Sequence, residues 1–169
     1  SQRYKDHEFG KLLNKRVEKI WKAACFFLEA QPFPVFGDVS PDFLTSFHYG
    51  LGKVGSCIFA KPFFGNITSG VGWHNLFPDV LKKKSFLKEP KNCHIYHSDA
   101  GYIKFRNERI IFYAYINPLG YVPAWSHGHS DLGGYILYLD GQCILIGTGR
   151  KNYLHYPGAD YWRSAKSHN

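Results

Sequence analysis

Methionine is absent from this 169-residue sequence, and long hydrophobic runs are absent as well. Because the chain starts at Ser1 and contains no methionine, we expect it to be a fragment rather than a complete, unprocessed translation product. No stretch approaches the roughly 20 apolar residues that a membrane span needs, and no charged segment followed by an apolar one opens the chain. These absences argue against a transmembrane helix and a signal peptide within the sequence.

Cysteine is scarce and irregularly spaced. The sequence contains four cysteines, and no two of them form a CxxC pair of the kind found in zinc knuckles and redox motifs. One lies in a helix-like pattern and another in a strand-like pattern, so free buried thiols are favoured over a disulfide framework. These residues are Cys25, Cys57, Cys93 and Cys143.

Acidic residues are few, with 13 Asp and Glu against 21 Lys and Arg, which gives a net charge of +8. A field of that sign concentrates polyanions near the surface. Nucleic acid, acidic glycan and anionic membrane all fit, and so does a basic surface without a partner. Nucleic acid ranks lowest, because no RNP-like strand, zinc knuckle or helix-turn-helix signature occurs. The composition, 44% hydrophobic and 18% aromatic, is that of a globular chain rather than a disordered one.

The first part of the sequence has helical periodicity. Apolar residues recur at three- and four-residue steps over residues 11–30, with Lys and Arg on the other face. This pattern predicts an amphipathic helix that ends before Pro32 and Pro34, which cannot continue it. Short helices are also expected near residues 43–50 and 75–86.

The later part of the sequence has the alternation of β-strands. Period-two patterns with β-branched and aromatic residues predict antiparallel hairpins over residues 101–116 and 133–146. The second contains Asp140-Gly141, a dipeptide suited to the positive φ angles of a tight turn. We place the boundary between the helical part and the β part at residues 88–92.

A pair of histidines, His127 and His129, precedes one predicted strand in the string SHGHSD. Because alternate residues of an extended segment point to one face, both imidazoles face the same way if the extension starts at His127. Such a pair suits a metal or active site, but surface histidines or a satisfied core histidine explain it equally well. His168, near the end of the sequence, is the third member of the group.

Three motifs occur in a defined order: FPVFGDVSPDF, then HGHSD before a hairpin, then WRSAKSHN. Together they resemble the pattern of heparinase II/III-type polysaccharide lyases, in which HxHxD opens a β-hairpin and an RSxxxHN-type segment follows. The resemblance covers about residues 11–50 and 94–169. It implies an α+β multidomain fragment, with the end of an α/α toroid over residues 1–90 and the start of an antiparallel β-sandwich over residues 91–169.

The resemblance also implies roles for single residues. By position in the family pattern, His127 is the catalytic histidine, and His129 and His168 are metal ligands, usually for zinc. The family's carboxylate ligand would fall at Gly147, which has no side chain to offer. Either the site is metal-free, or Asp131 or water completes it, or the fold has relaxed there.

Three further residues are candidates for binding substrate. Trp125 is suited to stacking on a sugar ring, with burial in a core as the equal alternative. Arg163 is suited to pairing with a sugar carboxylate, although a structural ion pair is the commoner role. Asn169, in the HN motif, is the third candidate. Asp38 and Asp42 of GDVSPD are more typical of turn hydrogen bonds.

The function implied by the resemblance is cleavage of a uronic-acid-containing acidic polysaccharide, such as a glycosaminoglycan, by β-elimination. In that family the catalytic tyrosine comes from helices ahead of the GD motif, and a bacterial periplasm or cell envelope is the expected location. Acidic polysaccharide is therefore the expected partner, without nucleic acid. The alternative is a catalytically degenerate glycan-binding or polysaccharide-biosynthesis-associated protein on the same scaffold, which Gly147 favours.

Overall fold

The computed structural model of the protein divides into two compact units. The helical unit comprises Ser1–Glu29 and Leu44–Pro90, and the sheet unit comprises Ala30–Phe43 and Lys91–Asn169. The structure describes residues 7–37, 45–61, 92–116, 129–149 and 157–168, with the backbone alone for 45–49. The helix expected near residues 75–86 lies outside this described part.

Helix α1 spans Glu8–Cys25, so it begins and ends earlier than the periodicity over residues 11–30 predicted. It begins early because the His7 side chain caps it, with Nδ1 accepting a hydrogen bond from the Phe9 amide at 3.3 Å. It ends early because the Phe26 and Phe27 amides donate to carbonyls three residues back, which tightens the last turn.

Helix α2 spans Thr45–Phe59 and is much longer than the short helix predicted over residues 43–50. Its glycines allow close packing on α1. A Cβ atom at Gly55 would overlap the indole of Trp21, and the indole Nε1 donates to the Gly52 carbonyl at 3.2 Å. Trp21 is buried in this contact.

Five strands form one antiparallel sheet in the order β1-β2-β3-β4-β5, each strand pairing with its neighbour in sequence. Both predicted hairpins are confirmed, and Asp140 and Gly141 adopt the positive φ angles of 49° and 79° expected of their turn. The first strand was not predicted. The strands are β1 Cys93–His97, β2 Tyr102–Arg106, β3 Ile110–Tyr115, β4 Tyr135–Leu139 and β5 Gln142–Leu145.

One face of the sheet is buried. Lys104, Tyr113 and Ile136 stand side by side in register on β2, β3 and β4, each at most 1% exposed. The Lys104 ammonium lies 6.0 Å from the centre of the Tyr113 ring, close enough for a cation–π contact. Tyr138, also buried here, donates its hydroxyl hydrogen to the Pro32 carbonyl at 2.7 Å. The segment that follows α1 therefore packs on this face.

The opposite face of the sheet is apolar and much more exposed. Tyr96 is 59% exposed, Tyr135 38% and Leu139 36%. Within the described residues, no helix is both long enough and apolar enough to cross a membrane. The four cysteines form no disulfide and are half-buried, so they are less deeply buried than the sequence predicted.

Candidate functional site

The HxHxD motif lies at the entrance to β4, where its second half is fixed in place. His129 and Asp131 are 2% and 6% exposed. The backbone of the motif is held on both sides: the Ser130 amide donates to the Arg163 carbonyl at 2.8 Å, and the Gly134 amide donates to the Asp131 carbonyl at 2.8 Å. At His129 and Asp131 the motif is therefore buried and hydrogen-bonded, unlike a surface loop.

Two short 3-10 helices, η1 Ala159–Arg163 and η2 Ala165–Ser167, carry the WRSAKSHN motif and place His168 beside His129. Nδ1 of His129 and Nε2 of His168 are 3.3 Å apart, although the two residues are 39 positions apart in sequence. Their ring planes cross at 73°. The structure thus brings together the two histidines that the resemblance assigns as metal ligands.

The hydrogen-bond pattern favours one tautomer of His168. Its Nε2 is 3.0 Å from the Trp162 carbonyl oxygen, which can only accept a hydrogen bond. Nε2 of His168 therefore carries a proton and donates it. The same N–H also faces Nδ1 of His129, which is the acceptor of this second, longer contact.

The histidine pair meets part of what a zinc site needs. Two nitrogen ligands on a tetrahedral zinc, each about 2.0–2.1 Å from the metal, are separated by about 3.3 Å, which is the observed spacing. A third ligand is missing, because a group of three or more His, Cys, Asp or Glu is not found among the described residues. These residues therefore do not complete a zinc site.

Gly147, at the position of the family's carboxylate ligand, has no room for a side chain. A Cβ atom there would overlap the Val35 carbonyl oxygen, which belongs to the segment packed on the sheet. The neighbouring Thr148 hydroxyl donates to the Ser167 carbonyl at 2.8 Å. Residues 147 and 148, which follow β5, therefore lie between the Val35 backbone and the η2 helix.

A second cluster links Asp131 to the segment that contains the FGD sequence. The Oδ2 atom of Asp131 would lie 3.6 Å from a Cβ atom built at Gly37. The φ angle at this position is +65°, which favours glycine. Next to Gly37, the Phe36 ring lies 5.6 Å from the ring of Tyr102 and 6.2 Å from that of Tyr115. The first and second motifs therefore meet on the sheet.

Burial sets the ionisation of the two tyrosines. Desolvation, then the neighbouring Tyr115 and the charge of Asp131, raise the pKa of Tyr102 from 10.0 to about 12. Desolvation, followed by the Asp131 charge, also raises the pKa of Tyr115. Both phenols therefore remain protonated at neutral pH.

Replacing Tyr102 with phenylalanine is expected to change how stability depends on alkaline pH. Because the pKa of Tyr102 is higher in the folded state than in the unfolded state, the protonated phenol contributes to the free energy of unfolding. This contribution is complete below pH 10 and is lost as pH rises through about 12. Urea unfolding at a series of pH values from 10 upward should show that the wild type loses more free energy of unfolding than Tyr102→Phe, by up to about 2 kcal/mol. Tyr96→Phe, at an exposed tyrosine, is the matched control and should behave as the wild type. Equal losses in wild type and Tyr102→Phe would contradict this assignment.

The remaining candidates divide by whether the structure describes them. Arg163 is half-buried, and its carbonyl accepts the Ser130 amide, so its backbone holds the two motifs together. The cluster around Asp131 was not predicted as a unit, although the aspartate of HxHxD was the signal that could have indicated it. His127, Trp125, Asn169, Asp38 and Asp42 lie outside the described residues.

Comparison with known proteins gives a family and a fold. No curated protein matches the chain. The solved structure of heparinase III is similar, with a TM-score of 0.60 and 17% identity over 92% of this chain. The chain spans 26% of that heparinase III chain, and at this identity the likeness shows the fold alone. The family described as heparinase II/III-like, C-terminal, matches residues 89–169, which contain both histidine motifs. Residues 89–169 are therefore a heparinase II/III-like C-terminal segment.

Proposed function

We propose that this chain is part of a polysaccharide lyase that cleaves uronic-acid-containing acidic polysaccharide by β-elimination. One observation carries the proposal: the family segment over residues 89–169 folds so that the histidines of its two motifs, His129 and His168, lie 3.3 Å apart. This contact holds the two motifs of the family segment side by side, although their histidines are 39 positions apart, and the proposal requires that arrangement.

The reaction explains why such a site needs hydrogen-bond donors and a proton acceptor. The C5–H bond of the uronate breaks, a C4–C5 double bond forms, and the C4–O bond to the leaving sugar breaks. The C5 proton is poorly acidic until donors or positive charge neutralise the adjacent carboxylate. A base then takes the proton, and an acid protonates the leaving oxygen.

The proposed roles follow the positions of the residues in the two motifs. His127, two positions before the fixed His129 in sequence, acts at the reacting sugar. Trp125 stacks on a sugar ring, and Arg163 and Asn169 bind the substrate carboxylate. By the resemblance, the catalytic tyrosine comes from helices ahead of the GD motif.

The charge of the chain supports an acidic substrate. A net charge of +8 attracts a polyanion over distances of about one Debye length, roughly 8 Å at physiological salt. Binding of an acidic polysaccharide is therefore expected to weaken as salt is raised.

Mass spectrometry of the products distinguishes elimination from hydrolysis. The full-length natural protein is incubated with uronate-containing polysaccharide, and the products are weighed. Elimination divides the substrate without adding water, so the product masses sum to that of the substrate. Product masses that sum to the substrate plus one water would instead indicate a hydrolase and overturn the proposal.

A second candidate function has its own supporting observation. The Val35 carbonyl fills the space where the family's carboxylate ligand would stand at position 147, as expected if the site has lost catalysis but retained the scaffold. A glycan-binding protein of this kind would be retained on an acidic-glycan column and released by salt, without forming any product.

A further inference from the structure

We infer that the His129–His168 pair is a metal-independent clasp, meaning a hydrogen bond between two imidazoles that fastens the η1–η2 segment to the HxHxD motif. The two nitrogens are 3.3 Å apart, and His129 is 2% exposed. This inference does not rest on the proposed function, because it concerns what holds the two motifs together and not the reaction.

The first support is that His168 Nε2 is already hydrogen-bonded to a backbone carbonyl. A ring nitrogen that donates its proton to the Trp162 carbonyl, 3.0 Å away, has no lone pair to give to a metal. Zinc requires a neutral imidazole with that lone pair exposed. Binding zinc through Nε2 would therefore break a hydrogen bond that the fold already makes.

The second support is the space at position 147. A carboxylate there would need a Cβ atom where the Val35 carbonyl oxygen lies. That oxygen belongs to the backbone and cannot swing away as a flexible side chain can. The glycine at position 147 is therefore matched by the surrounding packing, and no group of three potential ligands occurs among the described residues.

The third support is that the same segment is docked by other hydrogen bonds. The Ser130 amide donates to the Arg163 carbonyl and the Thr148 hydroxyl donates to the Ser167 carbonyl, both at 2.8 Å. Ser167 is only 7% exposed. The clasp thus completes a continuous set of contacts across the two motifs.

Isosteric substitutions separate a hydrogen-bonded clasp from a metal site. In the full-length natural protein, His129→Asn and His168→Gln place an amide where Nδ1 and Nε2 stand, so they retain hydrogen bonding but ligate zinc poorly. His129→Ala and His168→Ala remove the bond altogether. The measurements are the zinc content of the purified protein and the melting temperature with and without a chelator.

A clasp predicts a zinc content far below one per chain and a melting temperature that a chelator leaves unchanged. The two amide variants should melt near the wild type, and the two alanine variants about 4 °C lower or more. Stoichiometric zinc, a drop in melting temperature on chelation, or amide variants that fall as far as the alanine variants would overturn the inference. Wild-type melting of the alanine variants would overturn it as well.

If the alanine variants fail to fold, the amide variants and the chelator still decide the question. None of these readouts is catalytic activity. A failed clasp is therefore distinguishable from a failed lyase assignment.

Discussion

Replacing His127 with alanine is expected to lower the rate of unsaturated-product formation by about 10²–10⁴-fold, the usual effect of losing a positioned acid–base group. The proposed role of His127 is at the reacting sugar, so kcat should fall much more than KM rises. The measurement is steady-state kinetics of the full-length natural protein on its best acidic polysaccharide, with circular dichroism to verify folding.

The matched control is His94→Ala. His94 lies in β1, is exposed, and packs its ring 5.0 Å from that of Phe105, outside both histidine motifs. This variant should retain wild-type kcat. A His127→Ala protein that is folded and fully active would remove His127 from the chemistry, and an equal loss in both variants would point to a general effect of removing a histidine.

Replacing Gly147 with aspartate is expected to destabilise the protein by about 1–3 kcal/mol or more, as overpacking at a fixed backbone atom does. Restoring the family's carboxylate in this way should not produce a zinc site, because the new Cβ meets the Val35 carbonyl before the carboxylate can reach the histidines. Urea unfolding and zinc content measure the two effects.

Gly147→Ala is the control that isolates the cause. It adds the same Cβ without the charge, so it should account for most of the loss. Stability unchanged in both variants would show that the Val35 contact yields easily. A stabilised Gly147→Asp protein that binds zinc would show that the third ligand position remains open.

The parts of the fold that sequence patterns predicted are those set by local residues. The turn at Asp140 and Gly141 needs positive φ angles that this dipeptide readily supplies, and the strands on either side alternate. Helix α2 was underestimated because its glycines suggest loops locally, whereas the packing of Gly55 against Trp21 is a contact between helices. Local propensity cannot register a contact of that kind.

In the candidate site, too, local features could be predicted from the sequence, and contacts between distant segments could not. The HxH spacing indicated a site, but the meeting of His129 with His168 followed from the family pattern and not from spacing. The approach of Val35 to Gly147 could not be predicted, since it depends on how the segment after α1 lies on the sheet. One residue of the sequence indicated that the metal site differs from the family pattern, namely Gly147 at the position of the carboxylate.

The exposed apolar face of the sheet bears on the expected β-sandwich. Tyr96, Tyr135 and Leu139 stand on it at 36–59% exposure, which is unusual for large apolar side chains on a finished sheet surface. A β-sandwich buries such a face under a second sheet about 10 Å away. The sandwich expectation therefore requires that further strands cover this face in the full-length natural protein.

The most direct measurement is the ultraviolet absorbance of the unsaturated uronate, recorded while the full-length natural protein acts on a panel of acidic polysaccharides. Absorbance should rise with at least one uronate-containing polymer and stay flat with a sulfated polymer that lacks uronic acid. No rise with any polymer, from folded protein that still binds them in a salt-sensitive way, would contradict lyase chemistry and leave the glycan-binding alternative.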